Sequence, residues 1–213
     1  HKIIGTGTGS SVTARDFAIL GSLTGFTFDI GSGASFEIKG RVGGGTTSAT
    51  YSKTNAGTLI LSGLNGGSSG WQFNSGMFNI NQGAVRLANS AAFGNSGNRY
   101  TVASGAAMEL SGGFAQTVNA GTITLNGTGN GGAGALRSIS GNNSITTSTN
   151  IGGIVLNTSS SIGVDADQFT INHIIAGANN LTKVGAGTLV LNGTNTYSGT
   201  TTISAGTLTI GSV

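Results

Sequence analysis

Asp165 and Asp167 are the closest pair of carboxylates in the sequence. If they lie on a strand, a spacing of two turns both to one face, where paired carboxylates bind Ca²⁺ or act as general acid and base on a glycosidic bond. Asp16, Asp29, Glu37 and Glu109 stand alone. Ser68, within Gly66-Gly-Ser-Ser-Gly70, has the spelling of a nucleophile elbow, but a chain with 40 glycines generates such spellings by composition. The only bases are His1, which is terminal, and His173, whose apolar neighbours fit a partly exposed strand residue. Gly127-Thr-Gly-Asn-Gly-Gly132 has dinucleotide-loop spacing after the strand-like segment 122–125. No amphipathic helix or suitably placed acid follows, so it reads as a flexible turn. These residues assign no catalytic, cofactor or metal site, and the expectation is a protein that is not an enzyme.

Composition narrows the class further. Charged residues are 7% of the 213, against about 25% in ordinary globular chains, so Thr, Ser and Asn must build the polar surface. The net charge of +3 comes from scattered residues with no basic run, which argues against nucleic acid as a partner. Cysteine is absent, which leaves no disulfide framework, thiolate metal site or thiol nucleophile. No apolar run reaches the ~18 residues of a membrane span. The chain opens at His1 without a signal-peptide pattern, as a processed or excised piece would.

The elements come from one recurring pattern, a glycine followed by a short alternating segment: Gly57-Thr-Leu-Ile-Leu61, Gly76-Met-Phe-Asn-Ile80, Gly83-Ala-Val-Arg-Leu87, Gly121-Thr-Ile-Thr-Leu125, Gly187-Thr-Leu-Val-Leu191 and Gly206-Thr-Leu-Thr-Ile210. The third and fifth residues are apolar, which predicts strands with one inward face. The glycine is expected to supply the positive φ of a tight corner. Gly57 to Gly76 and Gly187 to Gly206 are equal spacings, each suited to one coil of a solenoid. At about 20 residues per coil the whole chain makes on the order of ten coils, in one domain over 1–213. The absence of proline suits strands that must both donate and accept. Residues 13–20 read equally as a short capping helix or a strand, and 1–20 as a cap or donor segment.

The pattern repeats internally. A shift of 130 lays Lys183, Gly187, Leu189, Leu191, Gly193 and Asn195 on Lys53, Gly57, Leu59, Leu61, Gly63 and Asn65. A shift of 123 lays Gly199, Ile203, Gly206, Leu208 and Ile210 on Gly76, Ile80, Gly83, Val85 and Leu87, leaving a seven-residue insertion between Asn65 and Gly76. The stretch from Leu181 to Leu208, Leu-Thr-Lys-Val-Gly-Ala-Gly-Thr-Leu-Val-Leu-Asn-Gly-Thr-Asn-Thr-Tyr-Ser-Gly onward, closely resembles the passenger-associated transport repeat of autotransporter proteins. Ser52 to Leu87 is similar to a looser copy. The resemblance implies a right-handed parallel β-helix, exported and displayed on or released from a bacterial surface, and it implies no single activity.

Three functions compete on this basis. A structural or adhesive solenoid leads, with another copy of itself, surface polysaccharide or a host or matrix ligand as partner. A polysaccharide-acting enzyme resting on Asp165 and Asp167 comes second. A flat-surface binder such as an ice-binding protein comes third, because the Thr-x-Thr pairs at 122–124, 200–202 and 207–209 are few and irregular. End-to-end assembly is expected from an uncapped regular C-terminal rung, with Lys2, Ile3, Ile4, Leu208 and Ile210 as the candidate interface. Trp71, in a cluster with Phe73, Met77 and Phe78, is the candidate partner contact, set against the plainer reading that it covers the side of the core.

Overall fold

Each Gly-led segment forms a strand in a computed structural model that describes residues 2–5, 11–14, 17–18, 25–40, 42–43, 49–63, 76–90, 92, 98–117, 121–146 and 152–211. In chain order the strands are β1 (Lys2–Gly5), β2 (Ser11–Ala14), β3 (Phe17–Ala18), β4 (Gly25–Ile30), β5 (Ser35–Ile38), β6 (Val42–Gly43), β7 (Thr50–Thr54), β8 (Thr58–Leu61), β9 (Met77–Ile80), β10 (Ala84–Leu87), β11 (Arg99–Val102) and β12 (Ala107–Ser111). They continue as β13 (Ala115–Thr117), β14 (Thr122–Gly127), β15 (Leu136–Ser140), β16 (Asn143–Thr146), β17 (Gly153–Val164), β18 (Gln168–Ile171), β19 (Ile175–Ala176), β20 (Leu181–Val184), β21 (Thr188–Leu191), β22 (Thr201–Ile203) and β23 (Thr207–Ile210).

All the pairings between these strands are parallel, and they stack into a β-solenoid. A first face runs β1-β4-β7-β9-β11-β14-β17-β19. A second runs β2-β5-β8-β10-β12-β15-β17-β20-β22. A third runs β13-β16-β18-β21-β23. The long β17 bends through the corner and serves the first face with its start and the second with its end. β3 pairs separately with β6. Residues 13–20 therefore contribute strand at 13–14 and 17–18, and the helix alternative is not realised at those positions.

The inward positions of successive coils stack into columns. On the first face Phe26, Tyr51, Phe78, Tyr100, Ile123, Ile154 and Ile175 lie in register, all buried, with Tyr51, Phe78 and Tyr100 stacked at centroid distances of 6.2 and 6.1 Å. Burial pushes the Tyr100 phenol well above its ordinary value. Outside, asparagines link the corners: Asn157 Nδ2 donates to Asn126 Oδ1 at 2.8 Å, and Asn192 Nδ2 to Asn172 Oδ1 at 2.8 Å.

Coil length varies more than the repeat suggests. Met108 pairs with Leu136, whereas Leu181 pairs already with Thr201, which closes a distinctly shorter coil. The longer coils leave the chain with fewer turns than an even spacing at the shorter length would give. Gly187 to Gly206 is one coil, since Thr188 pairs with Thr207. Gly57 to Gly76 is not. Thr58 pairs with Ala84, so Gly57 stacks on Gly83, while Gly76 opens a strand of a different face. The reason is that the two repeat copies are set one face apart. Lys53 lies on the first face and Leu59 on the second; Lys183 lies on the second and Leu189 on the third.

The glycines also divide by cause. Gly83 and Gly206 have φ of 66° and 68°, as a tight corner requires, but Gly57, Gly76, Gly121 and Gly187 do not lie in the left-handed region. What requires glycine at Gly57 is proximity: a Cβ there would meet Gly31 O at 2.3 Å and Ile30 Cγ2 at 2.6 Å. The positive φ of the first copy's corner falls instead on Asn55, at 65°, and on Gly185, at 84°, in the second.

Candidate functional site

β17 ends at Val164, so both acids lie in the turn that follows and not on one strand face. They are drawn to different partners. Asp165 accepts from Arg137 Nε at 3.0 Å and Nη2 at 2.5 Å, while Asp167, at φ 59°, accepts the backbone N–H of Gly141 at 2.7 Å. The pair therefore does not form a shared carboxylate site.

Asp165 instead closes a ladder of alternating charge along the outside of the second face. Arg86, Glu109 and Arg137 are in register on β10, β12 and β15. Arg86 donates from Nε and Nη2 to Glu109 Oε2 at 3.0 and 2.9 Å, and Arg137 Nη1 reaches Glu109 Oε1 at 3.4 Å. The Asp165 hydrogen bond holds the Arg137 guanidinium above its ordinary value against the opposing effect of burial. Glu109 is only 3% exposed, so its charge is tolerable because two guanidinium groups meet it. In this ladder Arg86, Glu109, Arg137 and Asp165 are each paired with an opposite charge, an arrangement that ties successive coils together and presents no unpaired acid or base of its own to a substrate.

The remaining sequence candidates separate. His173 is buried in the corner after β18, not partly exposed on a strand; its Nδ1 accepts the Ile174 N–H at 2.7 Å, Nε2 meets no partner among the described residues, and burial lowers its pKa. Gly127 ends β14, and the residues from there to Gly132 form a turn containing the 3₁₀ turn Asn130–Gly132, with strand β15 next. Phe78 is core and Met77 is exposed, whereas Ser68, Trp71 and Phe73 lie outside the described residues.

One feature escaped the sequence. Lys53 and Lys183 are fully buried at inward strand positions. Their ammonium groups turn to the backbone: Lys53 Nζ donates to Thr54 O, Asn55 O and Gln82 O at 2.8, 2.6 and 3.3 Å, and Lys183 Nζ to Val184 O, Gly185 O and Ala205 O at 3.0, 2.7 and 3.1 Å. Desolvation lowers both pKa values, that of Lys53 to about 8 with Asp29 opposing the shift, so Lys53 is mainly protonated at neutral pH.

Leu208 and Ile210, the candidate interface residues at the C-terminal rung, lie in the last described layer with Ile203. Ile203 and Ile210 are 52% and 58% exposed, and Leu208 is only partly covered. Their counterparts in the first copy, Ile80, Leu87 and Val85, are buried because β11 and β12 lie over them. Beside Ile210 a hollow of about 350 Å³ is lined by Asn195, Tyr197 and Thr201 among others, with Tyr197 Oη 2.6 Å from Thr201 Oγ1.

Parallel coils, a stacked apolar interior and repeated lysine-held corners define a parallel β-solenoid built from a recurring corner unit. Residues 52–87 and 181–210 match the sequence model of the family described as Passenger-associated-transport-repeat, and that repeat implies an autotransporter passenger-type β-helix. No curated protein and no solved structure matches the chain. Among the described residues no helix is long and apolar enough to cross a membrane.

Proposed function

We propose that this passenger-type solenoid works outside the cell or on its surface as a structural or adhesive element rather than as an enzyme, and that copies join end to end into a filament. The observation that carries the reading is the stack itself: parallel coils tied to one another by buried apolar columns and by an outer ladder of paired charges, built on the repeat matched at 52–87 and 181–210. A layer that leaves Ile203 and Ile210 half-exposed is completed by one more parallel coil, from the same chain or from another. A second copy displaced along the axis supplies it with the correct strand polarity, because β1 and β2, each paired on one side only among the described residues, form the opposite open layer. β2 and β22 share the second face, so they meet directly, whereas β1 and β23 belong to different faces and each finds its own neighbour. Such a heterologous contact does not close on itself and grows into a fibre.

Cysteine substitution tests the junction cleanly, since the chain has no cysteine of its own. The Val12→Cys, Ile203→Cys double variant should form intermolecular disulfides in a ladder of oligomers under mild oxidation, and each single variant should form at most dimers. A double variant that stays monomeric under oxidation contradicts the proposed contact.

A further inference from the structure

The buried lysines point to a binding site independent of filament formation. Lys53 and Lys183 sit in register with apolar residues above and below, Phe28 and Ile80 for one and Ile162 and Ile203 for the other. Packing alone calls for an apolar side chain there. Yet the two corners, set on different edges of the solenoid, hold the ammonium in the same way, with two carbonyls from the lysine's own corner and one from the corner of the next coil. The left-handed residue, Asn55 in one and Gly185 in the other, is among the acceptors in each. The next coil's glycine is seated alike too: a Cβ on Gly83 would meet Gly57 O at 2.3 Å and Asn55 O at 2.6 Å, and one on Gly206 would meet Gly187 O at 2.4 Å and Gly185 O at 2.5 Å.

We infer that each repeat corner is a binding site for one primary ammonium group, a cage of three backbone carbonyls drawn from two successive coils, which the chain fills with its own lysine. An ammonium has three donors and no acceptor, so it matches three converging carbonyls without remainder. A neutral or fully alkylated group does not. Because the third carbonyl comes from the following coil, the site is complete only once that coil has docked, and the lysine fixes one coil against the next.

The test separates the cage from packing. Lys53→Met keeps the stem's volume but leaves the carbonyls without donors, and should shift the unfolding equilibrium toward the unfolded state by roughly tenfold or more; a Met variant as stable as the native protein overturns the inference. Lys53→Ala opens the channel the stem occupied beyond Cβ, and ethylammonium, short enough to lie there without meeting the alanine methyl, should raise its unfolding midpoint saturably, with no comparable effect on the native protein and none from tetramethylammonium at equal concentration. Equal responses to the two cations, or from the two proteins, contradict the cage. Should neither variant fold, the native protein still decides: an amine-reactive reagent should modify Lys39, whose side chain is 55% exposed, and spare Lys53 and Lys183 until the chain unfolds. Labelling of Lys53 or Lys183 in the folded protein as fast as Lys39 refutes the cage.

Discussion

Arg137 Nη2 lies 2.5 Å from Asp165 Oδ2, one step along the solenoid, and the same guanidinium reaches back to Glu109 on the preceding coil. This contact decides what the most suggestive acids in the sequence do. Asp165 is held as one rung of an ionic ladder, so its neighbour in sequence, Asp167, is left to a separate backbone contact.

The ladder predicts unequal effects along its length. Glu109→Gln, which leaves two partly covered guanidinium groups around a neutral amide, should cost about 2–4 kcal/mol in urea denaturation. Lys39→Ala should change stability by less than about 0.5 kcal/mol, because its contact with Glu37 is 3.7 Å long and exposed.

Glycine substitutions should separate conformational from steric demand. Gly105, at φ 81°, has nothing within 4 Å of a Cβ position, so Gly105→Ala should cost only the left-handed penalty of about 1–2 kcal/mol. Gly83→Ala adds a collision with the Gly57 and Asn55 carbonyl oxygens and should cost ~4 kcal/mol or more. Equal losses in denaturation midpoint would contradict the stacking of Gly57 under Gly83.

His173 predicts an acid-side loss of stability. Burial lowers its folded pKa below the unfolded value of about 6.5, so below that pH the unfolded chain takes up a proton that the folded one resists. Stability should fall as pH drops from 6.5 toward the folded value, with a slope of at most ~1.4 kcal/mol per pH unit from this residue. In His173→Asn that contribution should vanish, which denaturation midpoints measured between pH 5 and 8 would reveal.

The depth of a coil should govern the cost of truncating it. Leu59→Ala, in a fully buried column between Phe36 and Val85, should cost about 2–5 kcal/mol, whereas Ile203→Ala in the half-exposed last layer should cost under about 1 kcal/mol in a monomer.

The strands were legible because alternation at period two depends only on neighbours in sequence. Leu59 and Leu61 on β8, or Leu189 and Leu191 on β21, turn inward where the pattern put them. Contacts between coils were not legible, because coil length changes along the chain and no fixed spacing ties Arg86 to Glu109 or Arg137 to Asp165. The same effect misled the reading of Gly57 to Gly76. Two similar corners look like one period, but their faces differ, and the face is set by how much chain the intervening turns consume. Lys53 did leave a signal, a charged residue at an inward parity position after Tyr51, whose meaning depends on carbonyls that only the folded corner brings together.

The central claim, that the exposed last layer receives the first layer of another copy, is tested most directly by sedimentation velocity across a concentration series, with negative-stain images of the same samples. The native protein should show a concentration-dependent distribution of fast species and unbranched fibres, and Ile203→Lys with Ile210→Lys should leave a folded monomer. A native protein that remains a single slow species of one chain at the highest concentration contradicts the account, as do fibres unaltered by the two lysines.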